Sequence, residues 1–308
     1  RSLSAIERAT IMAWVDQGTP AGDPKVAPPP VSYADDWKIG KPDLIFEMSE
    51  PYAVAAQGVL PYQYFRVPTG FTEDTWIQAA EARPGDRAVV HHCVVGVDDH
   101  KGGRKNIGVG EDSYLALFVP GESPSIYPPG TAKLIPAGAD LIFQMHYTPI
   151  GRAKVDRSSI GLVLAKGPVK HKVVTYGIAN SKFAIPPGEA NYPVEASLTI
   201  PLDAQLLSMS PHMHLRGKSF QYKAVYPDGK DEVLLSVPAY DFAWQSTYRL
   251  KTPQPLPNGT RIHCLAHYDN SADNPANPDP TKTIRWGQQT FEEMLIGYVD
   301  YVVDVPGK

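Results

Sequence analysis

From about residue 40 onward, the apolar positions fall in short alternating or continuous runs rather than at helical spacing. YQYFRV, RAVVHHCVVGV, LIFQMHY, IGLVLA, QLLSMSPHMHL, FQYKAVY, RIHCLAHY and MLIGYVDYVV are set apart by turn pairs at Pro84-Gly85, Pro187-Gly188, Asp228-Gly229 and Asn258-Gly259. Such runs predict an all-β chain of antiparallel β-sandwich or jelly-roll domains. The first residues read differently. Ser4 and Glu7 form an S-x-x-E capping box, Leu3, Ile6, Ala13 and Trp14 recur at helical spacing, and Gly18 is a stop. A proline-rich stretch, Pro20 to Pro30, follows as an extended linker. One helix makes no core, so it must pack on something else.

The pattern contains a weak duplication. Gly138–Tyr147 (GADLIFQMHY) and Gly259–Tyr268 (GTRIHCLAHY) share glycine, an aliphatic residue and His-Tyr in register, each downstream of a histidine pair. The repeat is too long for a solenoid and predicts two tandem jelly-roll domains, 40–167 and 168–308, each with its own metal site, after a helix-and-linker segment, 1–39.

Composition narrows the class. The 31 prolines are about twice the usual share of about 5% and favour turns over helices. A net charge of -4 argues against a nucleic-acid binder, and no apolar run approaches the ~20 residues of a membrane helix. Cys93 and Cys264 are too few and too far apart for a disulfide scaffold. The chain opens at Arg1 without methionine or a signal-like segment, so it reads as a processed or excised piece of an exported, periplasmic or extracellular protein.

The histidines carry the candidate chemistry. His212 and His214 are two apart and would share a strand face, so both imidazoles can reach one metal. His91 and His92 are adjacent and would face opposite ways on a regular strand, so joint ligation requires a bulge or a strand end. His146 offers a third ligand from a neighbouring strand. Taken alone, each pair reads first as hydrogen-bonded or exposed histidines and only second as a metal site.

HHC at 91–93, QMHYTPIG at 144–151, PHMHLRGK at 211–218 and GQQTFEEM at 287–294 stand in the order and approximate spacing of the copper type II, ascorbate-dependent monooxygenases. From about residue 40 to its end the chain resembles that family, which includes peptidylglycine α-hydroxylating and dopamine β-monooxygenases. The resemblance implies two jelly rolls facing each other across a cleft and two copper ions. One, for electron transfer, would be held by His91, His92 and His146. The other, for oxygen activation and C–H hydroxylation, would be held by His212, His214 and Met294. Gln144 and Tyr298 match further family positions near the metals. Imidazole binds both copper oxidation states and the Met294 thioether favours Cu(I). The reductant is ascorbate or a heme donor. The N-terminal segment resembles the closing helix of c-type cytochrome domains, without a C-x-x-C-H site, and implies a bacterial-type member with such a domain upstream.

Departures limit the likeness. Ser210 replaces an arginine that anchors a substrate carboxylate, so the substrate is a small or peptide-like molecule other than a glycine-extended peptide. Ile296 replaces an asparagine, and Cys93 a methionine; that thiol can ligate, oxidise or pack. His267, the duplication's counterpart of His146, is a rival to Met294. A copper-binding or electron-transfer protein of the same fold, without hydroxylase activity, is the alternative. A zinc hydrolase is disfavoured because the ligand motifs contain no carboxylate.

Overall fold

The computed structural model describes residues 3–29, 37–101, 107–119 and 122–305; Pro30, at the end of the predicted linker, and the proline-free residues after it up to 36 lie outside them. Two compact units are defined, Arg1–Asp36 and Trp37–Lys308. In the first, helix α1 (Ala5–Asp16) starts at the expected capping box: the Ser4 hydroxyl accepts from the Glu7 N–H, and Glu7 Oε2 accepts from the Ser4 N–H. Gly18 adopts φ +79°, and bonds from Gly18 to Val15 and from Thr19 to Trp14 close the helix in a Schellman turn. None of its residues is buried.

The second unit is all-β, as its sequence pattern predicts. Its first half contains β1 (Leu44–Glu47), β2 (Tyr52–Val54), β3 (Gln63–Pro68), β4 (Thr75–Arg83), β5 (Val90–Asp98), β6 (Ala116–Phe118), β7 (Ser125–Ile126), β8 (Thr131–Ile135), β9 (Asp140–Tyr147), β10 (Lys154–Asp156) and β11 (Ser159–Leu164). The second half contains β12 (His171–Ala179), β13 (Ala184–Ile185), β14 (Tyr192–Thr199), β15 (Ala204–His212), β16 (Gly217–Val225), β17 (Asp231–Val237), β18 (Tyr248–Leu256), β19 (Arg261–Tyr268), β20 (Ile284–Arg285) and β21 (Ile296–Asp304). The turn pairs fall between strands. Gly229 and Gly259 take φ +86°, a region costly for other residues, whereas Gly85 is needed because a side chain would meet Arg157 O at 2.6 Å.

Each half has its own apolar core. One is built from residues such as Ile77, Val95, Phe143 and Leu162, the other from residues such as Leu206, Phe220, Ile262 and Val299. Two four-stranded sheets match in order, β3-β9-β5-β6 and β14-β19-β16-β17. The duplicated segments are the second strand of each, and Tyr147 and Tyr268 both point into a core. The opposing sheets, however, are one. The order β1-β11-β4-β8-β12-β21-β15-β18 runs through both halves, joined by parallel pairing of β8 with β12 at Thr131–His171 and Ala132–Lys172.

This arrangement decides which face of each half carries chemistry. On β9, Leu141, Phe143, Met145 and Tyr147 enter the core, leaving Gln144 and His146 on the other side. On β15 a register shift between Leu206 and Ser208 changes the face: Leu206 is a core residue, but Ser210 and His212 are turned out of the core while Met209 and Met213 enter it.

Candidate metal centre

The required bulge is present where β5 meets β9. Val90 pairs with Tyr147 and His92 with His146, so His91 is the extra residue. It joins His92 rather than turning away: the two Nδ1 atoms are 3.3 Å apart. Ring centroids of His91, His92 and His146 stand 5.0–5.5 Å from one another. One ligand atom from each lies within 4.8 Å of the others. Tyr62 packs on His92 and His146, 5.2 and 4.7 Å between centroids. The Nδ1 of His146 is buried and has no hydrogen-bond partner. An orphaned buried nitrogen is rare in a folded protein. A cation among three imidazoles would supply its missing partner, so these residues fit a metal.

The H-x-H pair is prepared differently. His212 Nδ1 is 2.6 Å from Gln245 Oε1 and His214 Nδ1 is 3.2 Å from Glu292 O. Gln245 donates its amide N–H to Phe242 O, which fixes its oxygen toward His212. Both partners are pure acceptors, so each Nδ1 carries the proton and each Nε2 keeps a free lone pair. The rings are 5.2 Å apart and nearly perpendicular. Beneath them, buried Glu293 accepts from the backbone N–H groups of His214 (2.8 Å) and Arg216 (2.6 Å). Arg216, 1% exposed, donates to Phe291 O and Asn270 Oδ1. Burial raises the Glu293 carboxyl to about 8, opposed by those N–H groups and the Arg216 charge. These bonds lay residues 291–293 against 214–216. β21 pairs His212 with Ile296, and Met294, two residues before that strand, lines the same cavity as His212. The Tyr268 hydroxyl donates to Met294 O at 2.7 Å.

Two candidate ligands go elsewhere. His267 does occupy the strand position of His146, but the matching sheet of the second half faces away from the centre. Its neighbours Ala266 and Tyr268 enter the core, and its Nδ1 lies 3.1 Å from Ser219 Oγ. His263, on the same side, meets Glu195 at 3.3 Å. Cys93 is fully buried in the first core, and burial pushes its thiol pKa up. The alternation of β5 sends it inward beside two histidines that face out. The asparagine-rich loop after Tyr268 packs through Asn270 under Arg216, and none of its residues 269–280 lines the cavity between the halves.

That cavity, ≈ 600 Å³, is bounded by both halves and reaches His92, Gln144, His212, Met294 and Tyr298. Gln144 donates to the Tyr64 hydroxyl at 3.2 Å, and Tyr298 packs edge-on against Tyr114. Phe242 joins the two histidine groups: it stacks on His91 at 5.8 Å and meets His214 edge-on at 5.9 Å. No local signal in the sequence marks Phe242 or Gln245; they act from a loop between β17 and β18.

Burial lowers the pKa of all five histidines, His146 and His212 to about 4 and His214 to about 3. All five are therefore neutral, metal-ready imidazoles near pH 7. In the metal-free protein, NMR signals of the His146 and His212 rings should hold their neutral positions until the pH approaches about 4. The unfolded chain takes up those protons near the ordinary 6.5, so these two groups make folding less favourable as pH falls across that window. Ring titration near 6.5 would contradict the buried geometry.

No protein-family model matches the chain, and no curated protein matches it. Among solved structures it is similar to the major capsid protein P2 of bacteriophage PM2, with TM-score 0.34 and 8% identity, covering 85% of this chain and 98% of that one. It is also similar to the VP2 subviral particle of infectious bursal disease virus, with TM-score 0.25 and 9% identity over 89% of this chain and 74% of that one.

Proposed function

We propose that this chain is a copper-dependent monooxygenase that hydroxylates a substrate C–H bond with dioxygen, in the manner of the copper enzymes its motifs resemble. One observation carries the reading: two histidine groups of different preparation reach a shared cavity, through His92 and His212, and the Phe242 ring touches both. His91, His92 and His146 would hold one ion around the unpartnered His146 nitrogen. His212, His214 and Met294 would hold the other. Neutral imidazoles with a thioether and no carboxylate suit copper better than zinc, magnesium or calcium. When bound, copper supplies one-electron transfer and the activation of dioxygen.

The remaining work belongs to side chains. Gln245 and Glu292 O hold the His212 and His214 rings by their Nδ1–H groups, aiming both Nε2 lone pairs. Glu293 fixes the backbone under His214 and, through its neighbour Met294, the place of the thioether. Phe242 touches both groups, through His91 and His214. The substrate lies in the cavity beside Met294, Ser210 and Tyr298. Electrons come from an external reductant such as ascorbate, or from a heme domain of the c-type cytochrome class.

Metal analysis of copper-loaded, desalted protein tests this reading. Two copper ions per chain are expected, with copper–sulfur scattering in the X-ray absorption of the reduced form that Met294→Ala abolishes. Reductant-driven oxygen uptake should then require both histidine groups. One zinc per chain, or copper indifferent to replacement of these histidines, overturns it.

A further inference from the structure

We infer that the cavity between the two halves binds an uncharged, largely apolar substrate carrying hydroxyl or carbonyl groups. What is done to that substrate rests on the monooxygenase reading; the binding preference does not.

The cavity, ≈ 600 Å³, falls within the about 300–1,000 Å³ of small-molecule sites. Its walls are apolar where Val94, Leu117 and Val119 face Ile107, Val109 and Ile296. Three phenols, Tyr62, Tyr114 and Tyr298, also line it, and none of their hydroxyls hydrogen-bonds to a described residue. Each phenol is an O–H donor aimed at no partner among the described residues. Ser210 Oγ and Thr247 Oγ1, 2.6 Å apart, add a hydroxyl pair. An alcohol or carbonyl oxygen would give the phenols the partner that the described residues do not.

Charge is poorly served. Among the described residues lining the cavity there is no lysine or arginine to meet a carboxylate. The one carboxylate, Glu122, is already engaged: Oε2 accepts from the Thr247 N–H at 2.9 Å, and Oε1 lies 3.4 Å from Arg249. An ammonium group would therefore compete with a partner in place. Either charge would lose hydration without full compensation, which a neutral group escapes.

Three fluorescent probes of one skeleton test this on the metal-free chain by anisotropy: naphthyl-ethanol, naphthyl-acetate and naphthyl-ethylamine. The alcohol should bind at least about tenfold tighter than either ion. Tyr298→Phe, or Tyr62→Phe should the first fail to fold, should weaken the alcohol several-fold and leave ethylnaphthalene unchanged. Ser210→Arg should turn the preference toward the acetate. Equal or tighter binding of an ion, no saturable binding of the alcohol, or an equal loss for ethylnaphthalene overturns the inference. These outcomes leave the copper reading standing, and a chain that takes no copper leaves the probe preference measurable.

Discussion

Removing the Glu293 side chain is expected to destabilise the protein by about 2–6 kcal/mol, since two buried N–H groups would lose their acceptor at about 1–3 kcal/mol each. Glu293 is 0% exposed and accepts from the backbone of Arg216, itself 1% exposed. In Glu293→Ala the guanidinium keeps Phe291 O and Asn270, but the N–H groups of His214 and Arg216 are left without their acceptor. Because that acceptor also holds residue 214 against the approach to β21, metal binding at His212, His214 and Met294 should fall with stability. Glu293→Gln, which keeps one acceptor oxygen, should lie between. Denaturant unfolding of the metal-free protein decides the first point; a loss under about 1 kcal/mol would mean that these bonds contribute little.

The second large effect separates function from stability. His146→Leu is expected to remove the ion proposed at His91, His92 and His146, lowering copper from two per chain to one. Changes to outer-shell partners already weaken metal sites by about 10–100-fold, so loss of a ligand should exceed that. Oxygen uptake coupled to hydroxylation should collapse. The metal-free variant, by contrast, should fold as well as its parent or gain up to about 1 kcal/mol, because the buried unpartnered Nδ1 is gone. A stability loss of several kcal/mol with copper still at two per chain would place His146 in the packing and not in a metal site.

Much of this was legible along the chain, and the failures have physical causes. Turn pairs and apolar alternation mark the strands because both are local. The adjacent pair His91-His92 demanded a bulge, and the β5–β9 register contains it. Met294, Ile296 and Tyr298, named through the resemblance, all line one cavity. What alternation cannot tell is which side of a sheet faces a neighbouring half. That is why His267 matches His146 in register yet reaches only Ser219. Cys93, which beside two histidines could ligate, oxidise or pack, is sent by the strand into the core and packs. Phe242 and Gln245 were invisible because a loop places them, and nothing in their immediate neighbours encodes a contact with His91 or His212.

The ladder between β8 and β12 has an architectural consequence. The two halves are not beads on a string, since the backbone of one sheet passes through both. Division of the gene between β11 and β12 would bare a strand edge on each product, and such edges invite promiscuous pairing. Expressed together, the same edges are complementary templates, so a chain cut at the boundary between residues 167 and 168 should reassemble through the β8–β12 pairing.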